Sequence, residues 1–148
     1  MARRAASSSV SDTAAPLAYE LKLAPRQDAA LNEISFGLLE GEPLTDLDPW
    51  AQKTWEWWLR DPISRRLPGG GESYQDLKAR VDDFFERRQE EWENKRILIV
   101  GHRCINRLIA GQLAGLSFEK SLCIDQENEL IYRIHHDSWD SQQIDNIR

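Results

Sequence analysis

Cysteine, methionine and histidine are scarce in this chain: two, one and three residues among 148. Cys104 and Cys123 make neither a metal-ligand spacing nor a disulfide framework. They read as two buried thiols in a reducing, cytoplasmic compartment. No histidine-rich or cysteine-rich cluster is present, so no metal is implied. Long apolar runs are also missing, and none approaches the ~18 residues that a membrane helix needs. The opening residues, Met1 to Ser9, are basic and serine-rich but lack the apolar stretch of a secretory signal. Positive charge is in deficit, with a formal net charge of -6. A phosphate backbone needs a basic face, so nucleic acid is not the expected partner. A small anionic ligand needs only a local cluster of cations, and the overall charge leaves that open.

What is present is globular. With 41% apolar and 30% charged residues, the chain can bury a core of its own. Its length suits one domain over residues 1–148, with residues 1–10 as a flexible start. Asp12 to Leu23 reads as a short helix, capped by Ser11 or Asp12, in which Pro16 is tolerable only within the first turn. Residues 24–48 have no clear period and form a long loop. Asp48-Pro49 reads as a helix cap followed by proline at the first helical position, opening a tryptophan-rich helix that runs to about Arg60. Pro68-Gly69-Gly70-Gly71 is a loop. Ser73 and Asp76 form a capping-box-like pair before a helix striped with Leu77, Val81, Phe84 and Trp92.

Arg96-Ile97-Leu98-Ile99-Val100 is a short continuous apolar run, the pattern of a strand buried on both faces. A helix follows, with Ile105, Leu108, Ile109 and Leu113 as its core face and Gly115 as its stop. Leu122 to Ile124 and Leu130 to Ile134 read as later strands. The sum is an α/β sandwich.

His102 stands where the apolar run hands over to that helix. Ligands in open α/β sheets sit beyond the carboxyl ends of strands, and a helix start offers free N–H groups to anions. The histidine either donates to a bound phosphate or fills a gap at the helix start. Glu33, within Leu31-Asn32-Glu33-Ile34-Ser35-Phe36-Gly37, taken alone is an ordinary loop glutamate. Trp50, Trp55, Trp57 and Trp58 cannot all share one helix face, so some should pack on the core while others cover a cleft or a partner surface. Arg60, Arg65 and Arg66 read as a solvated basic stretch.

Taken in order, four segments resemble the histidine phosphatase (phosphoglycerate mutase-like) superfamily. Ile97 to Arg107 resembles its second histidine motif, with Arg107 five residues after His102. Leu31 to Gly37 with Glu40-Gly41 resembles its acid-bearing loop, Pro68 to Ser73 its glycine-rich segment, and Thr13-Ala14 has the family spacing. The resemblance implies a three-layer αβα sandwich, no cofactor, and a phosphatase or mutase acting on or binding a small phosphomonoester. Glu33 would exchange a proton with the ester oxygen, and partial burial would raise its pKa for that task. His102 would stabilise the transferred phosphoryl group.

The departures are as specific as the matches. The family opens with a strand ending in Arg-His-Gly, whose histidine becomes phosphorylated. No Arg-His-Gly occurs here, and His135 and His136 do not match the motif. Ser9 stands where the family has a phosphate-binding arginine, and Arg103 replaces a glycine after His102. Arg103 either pairs with phosphate or points to solvent. Three readings follow: a phosphomonoesterase that is N-terminally truncated or degenerate, an inactive pseudo-phosphatase binding an anion or a protein, or a remodelled site with different chemistry. The first central strand of the sandwich would be missing or replaced, and the gap closed by a rearranged sheet, a partner chain or a homodimer.

Overall fold

The computed structural model describes residues 7–93, 95–125, 127, 130–135 and 138–143. The described chain forms two compact units, residues 1–33 with 84–148, and residues 34–83. Five helices and one hairpin are assigned: α1 (Ser7–Glu20), α2 (Pro49–Leu59), α3 (Tyr74–Trp92), α4 (Arg103–Leu113), α5 (Phe118–Leu122), β1 (Leu130–His135) and β2 (Ser138–Gln143). Among these residues no helix is long and apolar enough to cross a membrane.

Unit 34–83 is built on side-chain caps and tight turns. The Asp48 carboxylate accepts from the N–H groups of Trp50 and Ala51, both at 2.8 Å, and Pro49 occupies the first turn of α2. Two of that helix's orphan donors are thereby satisfied. At α3, Asp76 accepts from the Ser73 amide at 2.9 Å and from the Ser73 hydroxyl at 2.8 Å. The Asp76 amide donates back to that hydroxyl at 3.2 Å, which closes the box the sequence predicts. The glycine-rich loop and the Ser35–Leu39 turn are stitched together: Leu38 N–H donates to the Pro68 carbonyl and Glu72 N–H to the Ser35 carbonyl, both at 2.8 Å. The Glu72 carboxylate returns a bond to the Ser35 amide at 2.9 Å and takes a forked pair from Arg80. Gly37 makes this approach possible. Its φ is +58°, and a Cβ there would lie 2.2 Å from the Pro68 carbonyl oxygen.

In the other unit α4 and α5 pack closely, because a Cβ on Gly111 would fall 1.9 Å from Ser121 Oγ. Ile105, Leu108 and Ile109 are buried, whereas Leu113, expected on the same face, is 41% exposed. Gly115 ends α4 at φ +64°. Leu116 N–H reaches the Gly111 carbonyl and Gly115 N–H the Gln112 carbonyl, a paired C-terminal cap. β1 and β2 pair antiparallel from Leu130↔Gln143 to His135↔Ser138. His136 lies outside the described residues.

Several sequence expectations change. Arg96 to Val100 is not a strand, and Ile97 and Leu98 are 44% and 53% exposed. An apolar run is buried on both faces only if neighbours flank it, and the one described sheet is the two-stranded hairpin. Leu122 to Ile124 is not a strand either: Leu122 ends α5, whose cap is Ser117. Pro16 lies well inside α1, and Ser7 to Val10, expected to be flexible, already belong to that helix. Cys104 is half-buried and Cys123 exposed, so the two thiols are not both core residues.

Two outcomes test these stitches. Gly37→Ala imposes both a left-handed backbone and a clash with a carbonyl, and is expected to cost about 2–4 kcal/mol in urea unfolding. Gly70→Ala has positive φ but open space around it, and is expected to cost about 1 kcal/mol. The second outcome concerns pH. The Arg66 guanidinium is the main reason the Asp76 pKa falls to about 2; burial opposes the shift and the Ser73 donors reinforce it. A depressed carboxylate stabilises the fold above the unfolded pKa and loses that contribution as pH falls toward the folded value. Asp76→Asn should therefore narrow the gap in stability between pH 5 and pH 2 relative to the parent chain.

Candidate functional site

Helix α4 begins without help from its own cap residue. His102 occupies the N-cap position with an extended backbone, φ -90° and ψ 172°, and its ring makes no capping bond. An imidazole reaches back to a first-turn amide less readily than Ser, Asp or Asn, the usual caps. The first turn is satisfied instead from far away in sequence. Glu33 Oε2 accepts from the Cys104 amide at 2.9 Å, and Oε1 accepts from the Ile105 amide at 3.1 Å. These are the second and third residues of α4, where an anion gains most from the orphan N–H groups and the positive end of the helix dipole.

Around this junction the backbone is fixed by Asn106. Its amide donates to the His102 carbonyl at 2.9 Å. Its side-chain Nδ2 donates to the Gly101 carbonyl at 3.0 Å. A Cβ on Gly101 would sit 2.4 Å from Asn106 Oδ1, so a larger residue there would push the Asn106 side chain out of this bond. His102 itself is half-buried.

Two arginines follow on one helical face. Arg103 and Arg107 are four residues apart, which places them one turn above each other. Arg103 is exposed. The Arg107 Nε is buried and has no hydrogen-bond partner among the described residues. Tyr132 of β1 lies within its electrostatic reach. Burial raises the Tyr132 pKa, aided by the charges of Asp125 and Glu127, while Arg107 pulls it down. The Tyr132 hydroxyl donates to the Asp125 carbonyl.

The two Glu33 bonds bring that residue to the first turn of α4, beside His102 and Arg103 in the chain, within the unit formed by residues 1–33 and 84–148. Glu33 and Arg103 come within one helical turn although about 70 positions separate them. Arg107 and Asn106 were not assigned a part in the site from sequence. The four-residue spacing of the two arginines was the available signal for Arg107; nothing local marks Asn106. Among the described residues, no group of three or more His, Cys, Asp or Glu side chains could hold a metal ion.

The aromatic set divides as expected. Trp58 is buried and donates its Nε1–H to the Arg65 carbonyl at 3.0 Å. It stacks on Trp55 at 5.0 Å and meets Phe36 edge-on. Trp50 and Trp57 stay exposed and line an open cleft of about 510 Å³ with Lys53, Thr54, Arg66 and Pro68. Arg65 and Arg66 are not simply solvated: Arg65 lies over the Trp57 ring at 4.7 Å, and Arg66 is paired with Asp76.

Comparison with known proteins gives a consistent result. The family model described as "Histidine phosphatase superfamily (branch 1)" matches residues 7–146. A probable 6-phosphofructo-2-kinase of Schizosaccharomyces pombe is 30% identical over 105 residues, which is 70% of this chain but 15% of that protein. The chain therefore spans only a small part of this curated relative. Two solved structures share the fold. The alpha-ribazole phosphatase from Shigella flexneri matches at TM-score 0.73 and 23% identity, over 93% of this chain and 68% of its own. A candidate alpha-ribazole-5'-P phosphatase from Escherichia coli matches at TM-score 0.64 and 24% identity, over 89% of this chain and 68% of its own.

The cap geometry has a direct consequence. Glu33→Ala should destabilise the protein by about 1 kcal/mol, as loss of a good helix cap does. Glu33→Gln, which keeps one acceptor oxygen, should lose roughly half of that. Urea midpoints for the three proteins measure it, and equal stability of Glu33→Ala and the parent would contradict the cap.

Proposed function

We propose, from the premise that this chain belongs to the histidine phosphatase superfamily, that the start of α4 binds the phosphoryl group of a small phosphomonoester. The observation that carries this reading is the bond pair between the Glu33 carboxylate and the Cys104 and Ile105 amides. It brings the acid-bearing loop and the second histidine motif, far apart in sequence, together at the first turn of α4, the helix that carries Arg103 and Arg107.

The roles follow from position. Arg103 and Arg107 present two guanidinium groups on one face, each able to fork onto phosphoryl oxygens. Like charges four residues apart on a helix repel, and a bridging dianion would relieve that repulsion. It would also satisfy the buried Arg107 Nε. His102, at the junction, is placed to donate to a third oxygen. In the hydrolytic reading water would attack phosphorus, and Glu33, at the helix start, would carry a proton from that water to the departing ester oxygen. Phosphoryl transfer through a phosphohistidine needs a nucleophile, and the chain contains no Arg-His-Gly. Binding is the activity these residues account for by themselves, and hydrolysis is kept as the second reading.

The described elements are read as part of a three-layer αβα sandwich. The names of the solved neighbours speak of alpha-ribazole phosphates; for this chain the ligand class is a small phosphomonoester rather than nucleic acid. Cys104 and Cys123, which form no disulfide, suit a reducing, cytoplasmic setting.

Inorganic phosphate and an aryl phosphate titrated by calorimetry and by phosphorus NMR test the reading. The expected result is saturable binding, weakened about tenfold by His102→Ala and by Arg107→Ala. That is the size of one lost hydrogen bond to a charged group, ~1.5 kcal/mol. Absence of saturable binding, or binding indifferent to both substitutions, would remove the proposal. Turnover of the aryl phosphate that disappears in His102→Ala would promote hydrolysis to the primary activity.

A further inference from the structure

Glu33 reaches α4 from a stretch with few holds of its own. Residues 23–28 adopt no regular structure, and from Leu21 to Ala30 every residue is exposed except Asp28 and Ala30. Just before Glu33 the chain makes one short 3-10 turn, Ala29–Leu31. A single turn of this kind has poor hydrogen-bond geometry and is costly to nucleate alone. Yet the two Glu33 oxygens meet two amides of α4, at 2.9 and 3.1 Å. A carboxylate that caps two amides at once has to be delivered in a defined position, so the turn itself must be fixed.

Asp28 fixes it, and works in two directions. Its Oδ1 accepts from the Ala30 amide at 3.0 Å, and its carbonyl accepts from the Leu31 amide at 3.0 Å, which closes the turn. Its Oδ2 accepts from Arg88 Nη2 at 3.0 Å, from 60 positions away in sequence. Arg88 stands on α3, and its Nη1 donates to Glu91, one turn on, at 3.2 Å. Glu91 also accepts from Arg26 at 3.0 Å. The Arg88 and Asp28 side chains are only 22% and 16% exposed. The Arg26–Glu91 pair is far more open, so water screens the Asp28–Arg88 pair less than its outer neighbour. Burial works to raise the Asp28 pKa, but the Ala30 amide and the Arg88 guanidinium outweigh it and hold the carboxyl below its ordinary value.

We propose that Arg88, acting through Asp28, is a positioning residue of the candidate site: it fixes the turn that delivers Glu33 to the first turn of α4. The relay runs from α3 to Asp28, through the turn to Glu33, and from Glu33 to the Cys104 and Ile105 amides. All of it lies inside the unit formed by residues 1–33 and 84–148. A forked guanidinium suits the place, because it serves two carboxylates at once where an ammonium is a point charge. What this placement serves rests on the phosphoryl-binding reading of the site, whereas the placement itself depends on no ligand.

Amide hydrogen exchange of the full chain, followed residue by residue by NMR without ligand, tests the relay. Arg88→Gln removes the charge that holds Asp28. The Cys104 and Ile105 amides should then exchange about tenfold faster, as they should in Glu33→Ala. The Ile109 and Ala110 amides, in the middle of α4, should keep the parent's rate. Arg88→Lys keeps a cation within reach and should recover most of the protection. Glu91→Gln removes the outer support but not the Asp28–Arg88 bond, and should change the two rates less than about threefold. Should Arg88→Gln fold too weakly to be read, Asp28→Asn decides the same point, since asparagine keeps the cap of the turn and loses the charge that draws Arg88. Unchanged Cys104 and Ile105 rates would overturn the proposal. So would a loss of protection spread evenly along α4, which is the mark of a general loss of stability. Titration of the parent chain with inorganic phosphate keeps the two ideas apart: a parent that binds none removes the phosphoryl-binding reading, and the amides still decide the relay.

Discussion

A carboxylate set into the first turn of a helix is the interaction on which the candidate site depends. Glu33 supplies α4 with the cap that His102 does not, through the Cys104 and Ile105 amides. The trade is physical: a histidine at the N-cap position leaves the helix start short of acceptors, and a distant loop makes up the deficit. A helix closed by its own serine or aspartate, as α2 and α3 are, has no need of a long-range partner. Because α4 does, the loop carrying Glu33 is tied to the helix carrying Arg103 and Arg107.

Much of the local structure was legible because it is decided within four or five residues. Asp48-Pro49 and the Ser73–Asp76 pair announce helix starts, since side-chain oxygen and backbone N–H meet at fixed offsets. Gly115 announces a helix end for a similar reason. The β1 strand was visible in Leu130 to Ile134. The family resemblance rested on four ordered segments, and two of these, the Gly37 turn and the Pro68 loop, do meet in the structure through hydrogen bonds and a glycine-only contact.

What was not legible depends on partners that a local pattern cannot supply. Ile97 to Val100 has a composition suited to a strand buried on both faces, but burial is a property of neighbours and not of the segment. Pro16 illustrates the opposite error. Its missing N–H costs one helical bond, yet α1 continues through it on a solvent-exposed surface, where water can satisfy the freed carbonyl. Leu122 to Ile124 looked like a strand because three residues cannot distinguish the end of a helix from the start of an extended run. Arg107 was seen only as a motif position. Its orphaned Nε appears once the helix is packed.

The electrostatics of the site run against the charge of the whole chain. A net charge of -6 would, if spread evenly, repel a phosphate dianion. At physiological ionic strength, however, exposed charges more than about 8 Å away are largely screened, so the local arrangement decides. At the start of α4 that arrangement is two guanidinium groups and a helix dipole against one carboxylate already engaged by two amides. Asp125 and Glu127, which act on Tyr132 together with Arg107, temper the field on the β1 side. The balance favours an anion beside the two arginines over one placed directly at the helix terminus, because Glu33 already fills that terminus. A phosphoryl group bound here would therefore be held mainly by side-chain cations, with the helix start acting through Glu33 and not through its own N–H groups. This distinguishes the site from an ordinary helix-terminus anion site, and follows from His102 leaving the cap to another residue.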